Sequence, residues 1–500
     1  MNKRKFLVGS AIGVATLAAL GLLAAANGQG SLKYAGRSMT IVTFDGPQIG
    51  EPLKRHAPEF EKLTGAKINV VLTTFSDLFP RILTDFTSGS NTFDAGVFDP
   101  QWLGDYVPSG YLEPLDSYIA KTPSLKWNEI TPFFREFSAT YAGKTYMIPL
   151  DGDFQMVYYR RDLWANKQFK TDFAAKYGYS LTPPKTWTQY RDMAEFFNGK
   201  TVDGVKMYGA VEAQKRNAQS FWVLGSRAGG YMQYKGTGQG MFFDSSSMKP
   251  LINAAGFVRA LTEWKDIQKS GPANMVNFDT GDVRSAFVGG QAALAIDWGD
   301  IGSLSTDKKT SVIQGKVGAV ILPGSKEVWD RDANKWVTKN AINYAPYAAF
   351  GGWSGAVNAK SKNKDIAFDY LAFLSQPENS DEDVTLGITG FNPYRQSHFN
   401  NSSIWIKSGM TKEDASNYLG AIKASLKSKN LVLDIRLPGT DRYQKLLDEG
   451  IARALAGEET PQVALDGVAA AWDKLTDELG RKKQLTIYRA SLKLKSLEGN

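Results

Sequence analysis

The sequence predicts an α/β fold, because short apolar runs alternate with amphipathic segments near the start of the chain. Residues 39–44 (MTIVTF) suit a buried strand and end at Asp45-Gly46-Pro47, which is typical of a turn. Residues 52–63 place apolar side chains three or four positions apart, which predicts a helix, and residues 66–72 (AKINVVL) predict a second strand. Strand, helix, strand favours a parallel sheet with ligand contacts at the carboxyl ends of its strands.

The pattern continues along the chain. Residues 94–98 (DAGVF) predict a third strand, which opens into residues 99–102 (DPQW). Near the other end, Thr460 and Pro461 precede apolar side chains that recur every three or four residues, so a capped helix is predicted there. A chain of 500 residues is long enough for several domains or for one two-lobed fold.

The first 26 residues have the pattern of an export signal. A basic start at Lys3-Arg4-Lys5 precedes an uncharged run over residues 6–26, which closes on Ala24-Ala25-Ala26. This pattern predicts a signal peptide over residues 1–26, cleaved before Asn27. A retained membrane anchor is the alternative, but the run is rich in alanine and glycine and only weakly apolar. Export by the general or the twin-arginine route stays open, because a lysine replaces the first arginine of the twin pair.

Composition excludes several classes of protein. The chain has no cysteine and two histidines, so disulfides, thiolate metal sites and cysteine nucleophiles are excluded, and no cofactor or metal is predicted. Removal of the three signal-peptide cations lowers the net charge from +8 to +5. The remaining charges are interspersed, without the basic patch that nucleic-acid binding needs.

Several segments together resemble one family. They include residues 141–149 (YAGKTYMIP), 157–163 (VYYRRDL), 60–65 (FEKLTG), 110–119 (GYLEPLDSYI) and 352–358 (GWSGAVN). Each motif is loose by itself, but their order along the chain is similar to that of the extracellular solute-binding proteins of ABC sugar importers. The maltodextrin-binding branch is the best-known relative.

The resemblance implies a two-lobed periplasmic binding protein fold, in which a hinge closes two α/β lobes over an interlobe cleft. By analogy, lobe one takes residues 38–150 and 292–350, and lobe two takes residues 151–291 and 351–500. Residues 326–343 have no assigned counterpart in the family. The implied protein is a monomer without a lipid anchor in the periplasm, and it delivers a carbohydrate or polyol to membrane permease subunits.

Candidate ligand contacts are polar and aromatic side chains that follow strands, because sugar hydroxyls bind carboxylates and amides while sugar C–H faces stack on rings. Asp153 is the preferred carboxylate, since it follows Pro149 where the family places an acidic residue; a surface turn is the alternative. Asp45 and Gln48 follow the first strand, with an ordinary turn as the equal alternative.

The other candidates come from three further segments. Phe98, Asp99, Gln101 and Trp102 match a strand-end loop of the family, in which the family's carboxylate falls on Gln101. Trp298 and Trp353 lie next to glycines, which favours rings exposed in turns, and Arg395 follows a Pro-Tyr pair and is expected to reach the cleft.

Enzyme activity is not predicted. A secreted glycoside hydrolase remains the alternative, because it also needs paired carboxylates and aromatic rings. Residues 352–356 lack the second glycine of a nucleophile elbow, and no P-loop, GxGxxG or HExxH motif occurs. Within the same fold, a non-sugar ligand such as a glycerophosphodiester is the second alternative. The sequence leaves the identity, size and linkage of the ligand open.

Overall fold

The computed structural model describes residues 32–46, 48–216 and 219–495. The predicted signal peptide lies outside these residues. The strands, in chain order, are β1 Ser38–Phe44, β2 Lys67–Thr73, β3 Ala95–Phe98, β4 Thr140–Tyr141, β5 Lys144–Thr145, β6 Met147–Pro149, β7 Met156–Arg160, β8 Thr201–Val202, β9 Val205–Lys206, β10 Tyr208–Val211, β11 Ala292–Asp297, β12 Val317–Ile321, β13 Ser325–Asp330, β14 Lys335–Asn343 and β15 Ser354–Val357.

Helices lie between and after these strands, and most of them pack one apolar face onto a sheet or another helix. They are α1 Gly50–Thr64, α2 Phe75–Ser88, α3 Leu103–Tyr106, α4 Asp116–Ala120, α5 Arg161–Ala165, α6 Lys167–Tyr177, α7 Trp187–Phe197, α8 Ser220–Met232, α9 Ala255–Asp266, α10 Thr280–Val288, α11 Asp300–Leu304, α12 Lys364–Ser375, α13 Pro377–Thr385, α14 Gln396–Asn400, α15 Ser402–Lys407, α16 Lys412–Leu426, α17 Thr440–Ala456, α18 Pro461–Glu478 and α19 Arg481–Ser491. No helix among the described residues is both long and apolar enough to cross a membrane.

The first sheet has the strand order β2-β1-β3-β15-β6. Strand β1 pairs in parallel with β2 and β3, as the strand, helix, strand pattern predicts, whereas β15 runs antiparallel to β3 and β6. Helices α1, α2 and α12 pack against this sheet. Ile41 and Val42 of β1 point to opposite faces and are both completely buried, because helices cover the sheet on each side.

The second sheet has the strand order β10-β11-β7-β12. Strands β10 and β11 are parallel, and β7 runs antiparallel to both of its neighbours, β11 and β12. Helices α7, α10 and α16 contact it. All six residues of β11, Ala292–Asp297, are buried, which makes this strand the centre of the second core.

The strand pairing corrects part of the predicted division into lobes. Strands β11 and β12 fall within residues 292–350, which were predicted for lobe one, yet both pair with β7 in the second sheet. Strand β15 falls within residues 351–500, which were predicted for lobe two, yet it pairs with β3 and β6 in the first sheet. The prediction is wrong for these strands because sequence order does not reveal which sheet a strand joins. The outer boundaries of the lobes stay a prediction.

Over the described residues, the chain passes between the two sheets three times. Residues 150–155 join β6 to β7, and residues 344–353 lead back to β15 in the first sheet. Helix α12 still packs on the first sheet and α16 packs on β12 of the second, so the third passage lies between these helices. We call the half built on each sheet the first and the second lobe.

The C-terminal helices and one hairpin enlarge the second lobe. Helices α17 and α18 pack together and contact α8 and α9. The predicted cap of α18 is confirmed, because the Thr460 side chain accepts a hydrogen bond from the Val463 amide at 3.3 Å and Pro461 follows at the first helical position. Residues 326–343 fall in the antiparallel hairpin of β13 and β14, which packs on α8.

Candidate functional site

A cavity of about 540 Å³ lies where the two lobes and the crossing segments meet. Its walls combine aromatic rings with carboxylates, amides and arginines. We call it the central cavity, and its lining residues are Phe44, Gln48, Ile49, Phe75, Ser76, Asp153, Arg216, Gln219, Trp222, Asp279, Thr280, Gly281, Arg284, Trp298, Asp300, Phe350, Trp353 and Gly390. A concave site with apolar walls and a few convergent polar groups is typical of a small-molecule binding site.

Aromatic rings from both lobes meet in this cavity. Phe44, at the end of β1, stacks on Trp353 with ring centres 5.8 Å apart and planes 19° apart. Phe75 meets Trp353 edge-on at 6.2 Å and Trp222 of the second lobe at 6.1 Å. Trp222 in turn lies edge-on to Trp298, with centres 6.0 Å apart. The rings therefore form a continuous apolar wall across the boundary between the lobes.

Hydrogen bonds fix the two tryptophans of the second lobe. The indole N–H of Trp298 donates to the carbonyl of Ala349 at 3.1 Å. Its own carbonyl accepts a hydrogen bond from the Tyr158 hydroxyl at 2.7 Å. The indole N–H of Trp222 donates to the Asp434 carboxylate at 2.6 Å. Each ring is thus held from behind, with its orientation set before a ligand arrives.

Asp434 holds several parts of the cavity wall in place, and no sequence motif singles it out. Besides Trp222, it accepts the amide of Phe350 at 3.0 Å and the amide of Ile435 at 2.9 Å. It also accepts hydrogen bonds from the Gln101 side chain and the Tyr347 hydroxyl. Burial raises the pKa of Asp434 to about 7, although these donors favour its ionised form.

The crossing segment at residues 350–352 has an unusual backbone. Phe350, Gly351 and Gly352 all have positive φ angles, of 74°, 78° and 89°. For Phe350 this conformation is strained, since a side chain with a Cβ rarely adopts it. A Cβ on Gly352 would lie 2.1 Å from the Asp151 carbonyl oxygen, so only glycine fits there. Backbone strain of this kind clusters at binding sites, where the surrounding contacts hold it in place.

The three crossing segments are tied together at Asp151. Its carboxylate accepts the amide of Asn392 at 2.5 Å, that of Trp353 at 3.2 Å and that of Gly152 at 2.7 Å. The neighbouring Asp153 accepts the Asn392 side-chain amide at 2.7 Å. Asp151 therefore joins its own crossing to the two others, which places it in the predicted hinge region.

Asp153 is the acidic group of this pair that faces the cavity. Burial, followed by the charge of Asp151, raises the pKa of Asp153 well above its ordinary value. A hydrogen bond joins the two carboxyl groups, so one of them must carry a proton. Because the amides favour the ionised form of Asp151, Asp153 is the protonated partner and presents a neutral carboxyl group.

A buried arginine and two carboxylates form the opposite polar wall. Arg284 of α10 donates to Asp297 at 2.7 and 3.2 Å and pairs with Asp300 at 2.8 Å. Burial alone would lower the pKa of Arg284, but the two carboxylates raise it above its ordinary value. Burial raises the pKa of Asp297 to about 6 and also raises that of Asp300. The arginine is therefore neutralised by the protein itself.

Near the cavity rim, the remaining charges are also paired. Arg216 lies 2.8 Å from Glu449, and Asp279 lies 3.1 Å from Lys215. Asp279 also caps α10, because its carboxylate and that of Asp282 each accept the other residue's amide. Among the described residues, each arginine that lines the cavity therefore has a carboxylate partner.

Four of the predicted contact residues line the central cavity, namely Gln48, Asp153, Trp298 and Trp353. Asp45 does not: its side chain is exposed and lies outside the lining. The sequence missed Phe44, Phe75, Trp222, Asp300 and Phe350. The first of these could have been found, since it ends the predicted first strand. The others depend on tertiary contacts.

The predicted loop at residues 98–102 lies behind the cavity wall instead of in it. Phe98 and Trp102 stack on each other with centres 5.7 Å apart, and Trp102 packs behind Phe75 at 6.5 Å. Asp99 caps the following turn by accepting the Gln101 amide at 2.8 Å. All four predicted residues of this loop are buried. Groups from later in the chain cover the loop and separate it from the cavity.

Arg395 is also placed elsewhere. Its side chain is completely buried and is not part of the cavity lining. The guanidinium donates to the carbonyls of Leu125 at 2.8 Å, Lys126 at 3.3 Å and Ser375. It therefore joins residues 125–126 to Ser375, and the expectation that it reaches the cleft is wrong because these carbonyls hold it in the core.

The chain is similar in sequence to known binding proteins. The chain is 24% identical over 350 residues to a probable amino-acid ABC transporter periplasmic-binding protein of Sinorhizobium fredii, which covers 69% of this chain and 70% of that protein. It is 22% identical over 378 residues to an erythritol/L-threitol-binding protein of Mycolicibacterium smegmatis, which covers 73% of this chain and 72% of the relative.

A solved structure shows the same fold. The crystal structure of an ABC transporter solute-binding protein from Agrobacterium radiobacter in complex with ribitol superposes with a TM-score of 0.68, at 21% identity, and covers 88% of this chain and 99% of that one. The predicted two-lobed α/β fold is thereby confirmed. Residues 45–381 match the model of the bacterial extracellular solute-binding proteins, so the chain belongs to that family.

Proposed function

We propose that this protein is the periplasmic substrate-binding receptor of an ABC importer and binds a small neutral polyol or sugar in the central cavity. The observation that carries the proposal is the pairing of charges in the lining. Arg284 is neutralised by Asp297 and Asp300, while the arginine and aspartate at the rim are paired as well. An anionic ligand would find no free cation among the described lining residues, because each arginine there already has a carboxylate partner.

The polar groups that remain suit hydroxyl ligands. Asp153 offers a carboxyl group, Gln48 an amide and Asp300 a carboxylate, all next to apolar ring faces. Alternating hydroxyls and C–H faces of a polyol match such a wall, since carboxyl and amide groups bind hydroxyls and rings contact the C–H faces. The erythritol/L-threitol-binding relative and the structure in complex with ribitol support a polyol, whereas the relative named as a probable amino-acid binding protein does not.

The mechanism follows from the placement of the cavity. A ligand in it touches residues of both lobes, for example Phe75 of the first and Trp222 of the second. Contacts to both lobes favour the closed arrangement, because they form fully only when the lobes meet. The three crossings tied at Asp151 supply the pivot, and the closed form is the one that the permease subunits recognise. The protein acts in this scheme as a monomer exported with cleavage of its signal peptide.

A thermal-shift screen of the mature protein tests the ligand class. The probes are ribitol, erythritol, D-mannitol, maltose, glycerophosphocholine and single amino acids. A ligand at 100 times its dissociation constant stabilises the folded state by about 2.7 kcal/mol, which raises the melting temperature measurably. We expect a shift with a neutral polyol or sugar that is recovered intact. A shift only with glycerophosphocholine or an amino acid would contradict the proposal.

The same experiment separates a receptor from an enzyme. The family and the reported relatives are binding proteins. We propose that this chain likewise performs no catalysis, so chromatography should return every bound sugar unchanged. Recovery of a cleaved sugar would instead support the glycoside hydrolase alternative. Small-angle scattering with the identified ligand measures closure, and an unchanged radius of gyration would argue against the hinge.

A further inference from the structure

A second cavity of about 650 Å³ lies away from the central one. Its walls come from residues 133–143 of the first lobe, from residues 431–436 and from the last helix, α19. We call it the C-terminal cavity. Most of its lining is apolar, including Phe133, Phe137, Tyr141, Leu431, Leu433 and Ile487. The cavity shares no lining residue with the central cavity.

One buried cation interrupts this apolar lining. Arg436 is 5% exposed, and no carboxylate forms an ion pair with it in the described part of the chain. Its terminal nitrogens donate to the carbonyls of Phe137 and Thr140, but its Nε has no hydrogen-bond partner among the residues that the structure describes. The guanidinium carbon lies 5.0 Å from the centre of the Phe137 ring and 5.7 Å from that of Tyr141. Ring faces and carbonyls solvate this charge but do not neutralise it.

The nearby acidic groups do not compensate for the charge. Burial and the charge of Asp434 raise the pKa of Asp99 well above its ordinary value, which disfavours the ionised form of that carboxyl group. At the cavity rim, Glu136 is paired with Lys493 at 2.7 Å. Burial accordingly lowers the pKa of Arg436 to about 10, which still leaves it charged. An unpaired buried cation is costly, and an anion beside it removes that cost.

We propose that the C-terminal cavity is a second binding site, for an amphipathic monocarboxylate. The carboxylate pairs with Arg436, and the hydrocarbon chain lies along the aromatic and leucine side chains. A carboxylate fits because it supplies the negative charge that Arg436 lacks and accepts strong hydrogen bonds from a guanidinium. An apolar tail fits because the remaining walls offer little for it to hydrogen-bond. This site is independent of the ligand proposed for the central cavity.

Titration with decanoate tests the site. The full mature protein is titrated with sodium decanoate, 1-decanol and decylamine hydrochloride, each below its aggregation concentration, and binding is measured by calorimetry and melting temperature. We expect saturable binding of decanoate at least about tenfold tighter than that of either analogue, since only decanoate supplies the missing charge. Equal binding of 1-decanol would overturn the proposal, because it would show that apolar contact alone decides.

Three variants locate the binding. Arg436→Gln should weaken decanoate binding at least about tenfold. Ala490→Phe on α19 fills the cavity from an exposed helix position and should also abolish binding, which decides the matter if Arg436→Gln does not fold. Trp298→Ala changes only the central cavity and should leave decanoate affinity unchanged. Binding that survives the first two changes, or that is lost in Trp298→Ala, would place decanoate elsewhere and refute the site.

Discussion

Residues 151–153 and residues 98–102 both follow a strand of the first sheet, and both combine carboxyl groups with nearby aromatic rings. The first segment crosses to the second lobe, and Asp153 faces the central cavity. The second segment turns into α3 and is covered, with Gln101 bound to Asp434 and Trp102 packed behind Phe75. The difference shows that a polar strand end lines a cavity only when no later segment covers it.

The largest loss of stability is expected from a change at Asp434, because its carboxylate binds Gln101 and covers residues 98–102. Asp434→Ala leaves buried donors without acceptors, among them the Trp222 indole and the Phe350 amide. We expect it to lower the free energy of unfolding by about 4 kcal/mol or more, measured by urea denaturation. Asp244→Ala is the matched control, because Asp244 also accepts several hydrogen bonds but caps a half-buried turn. Equal losses of unfolding free energy in the two variants would show that the hydrogen bonds of Asp434 contribute no more than those of a half-buried turn.

The stability of the protein should depend on pH through Asp105, which lies in α3 just after residues 98–102. Within the described ranges, one oxygen of its carboxylate accepts a hydrogen bond from the Gly439 amide at 2.7 Å, and the other oxygen has no partner. Burial raises the pKa of Asp105 to about 6 in the folded protein, against about 3.9 in the unfolded chain. The folded state therefore binds the proton more tightly, and stability falls as pH rises from about 4 to about 7.

Asp105→Asn should remove this dependence. Asparagine keeps the acceptor for Gly439 but cannot ionise, so its stability relative to wild type should rise by about 2 to 3 kcal/mol between pH 4 and pH 8. Urea unfolding at a series of pH values measures the change. If the two proteins showed parallel pH profiles, Asp105 would have an ordinary pKa and the covered region would be wetter than its burial indicates.

Substitutions of Trp298 and Trp102 should affect different properties, namely ligand affinity for Trp298 and stability for Trp102. Trp298 lines the cavity and Trp102 does not, although both are buried. Trp298→Leu should weaken binding of the identified polyol or sugar about tenfold, or about 1.4 kcal/mol, because a stacking face is lost. Trp102→Leu should destabilise the fold and leave the affinity within about twofold of wild type. The reverse pattern in calorimetric titrations would move the site towards residues 98–102.

The smallest effect is expected for Asp153→Asn. Asp153 is protonated, so an asparagine can donate to Asp151 and still accept the Asn392 amide. We expect a loss of stability below about 1 kcal/mol, whereas Asp153→Ala should cost more and weaken ligand binding too. Thermal melts and ligand titrations of both variants provide the check. A large loss in Asp153→Asn alone would mean that the ionised carboxylate is required.

Local sequence was informative wherever a segment carries its own pattern. The first strand, α1 and the cap of α18 follow from apolar spacing and from Thr460-Pro461, since these depend on neighbours along the chain. The family resemblance came from ordered motifs, and it predicted the two-lobed fold. Asp153 and Trp298 could be proposed as contacts because each follows a strand whose end was recognisable.

Only the tertiary structure decided that residues 151–153 line the central cavity while residues 98–102 are covered. Trp222, Phe350 and Asp434 lie more than a hundred residues from the segment that they cover, and no local pattern marks them. Strand β15 joined the first sheet and β11 the second for the same reason, because strand pairing depends on the shape of a whole sheet. Residue types and spacing thus determined the elements and the family, whereas burial by distant segments determined the site, since solvent exposure is a property of the packed chain.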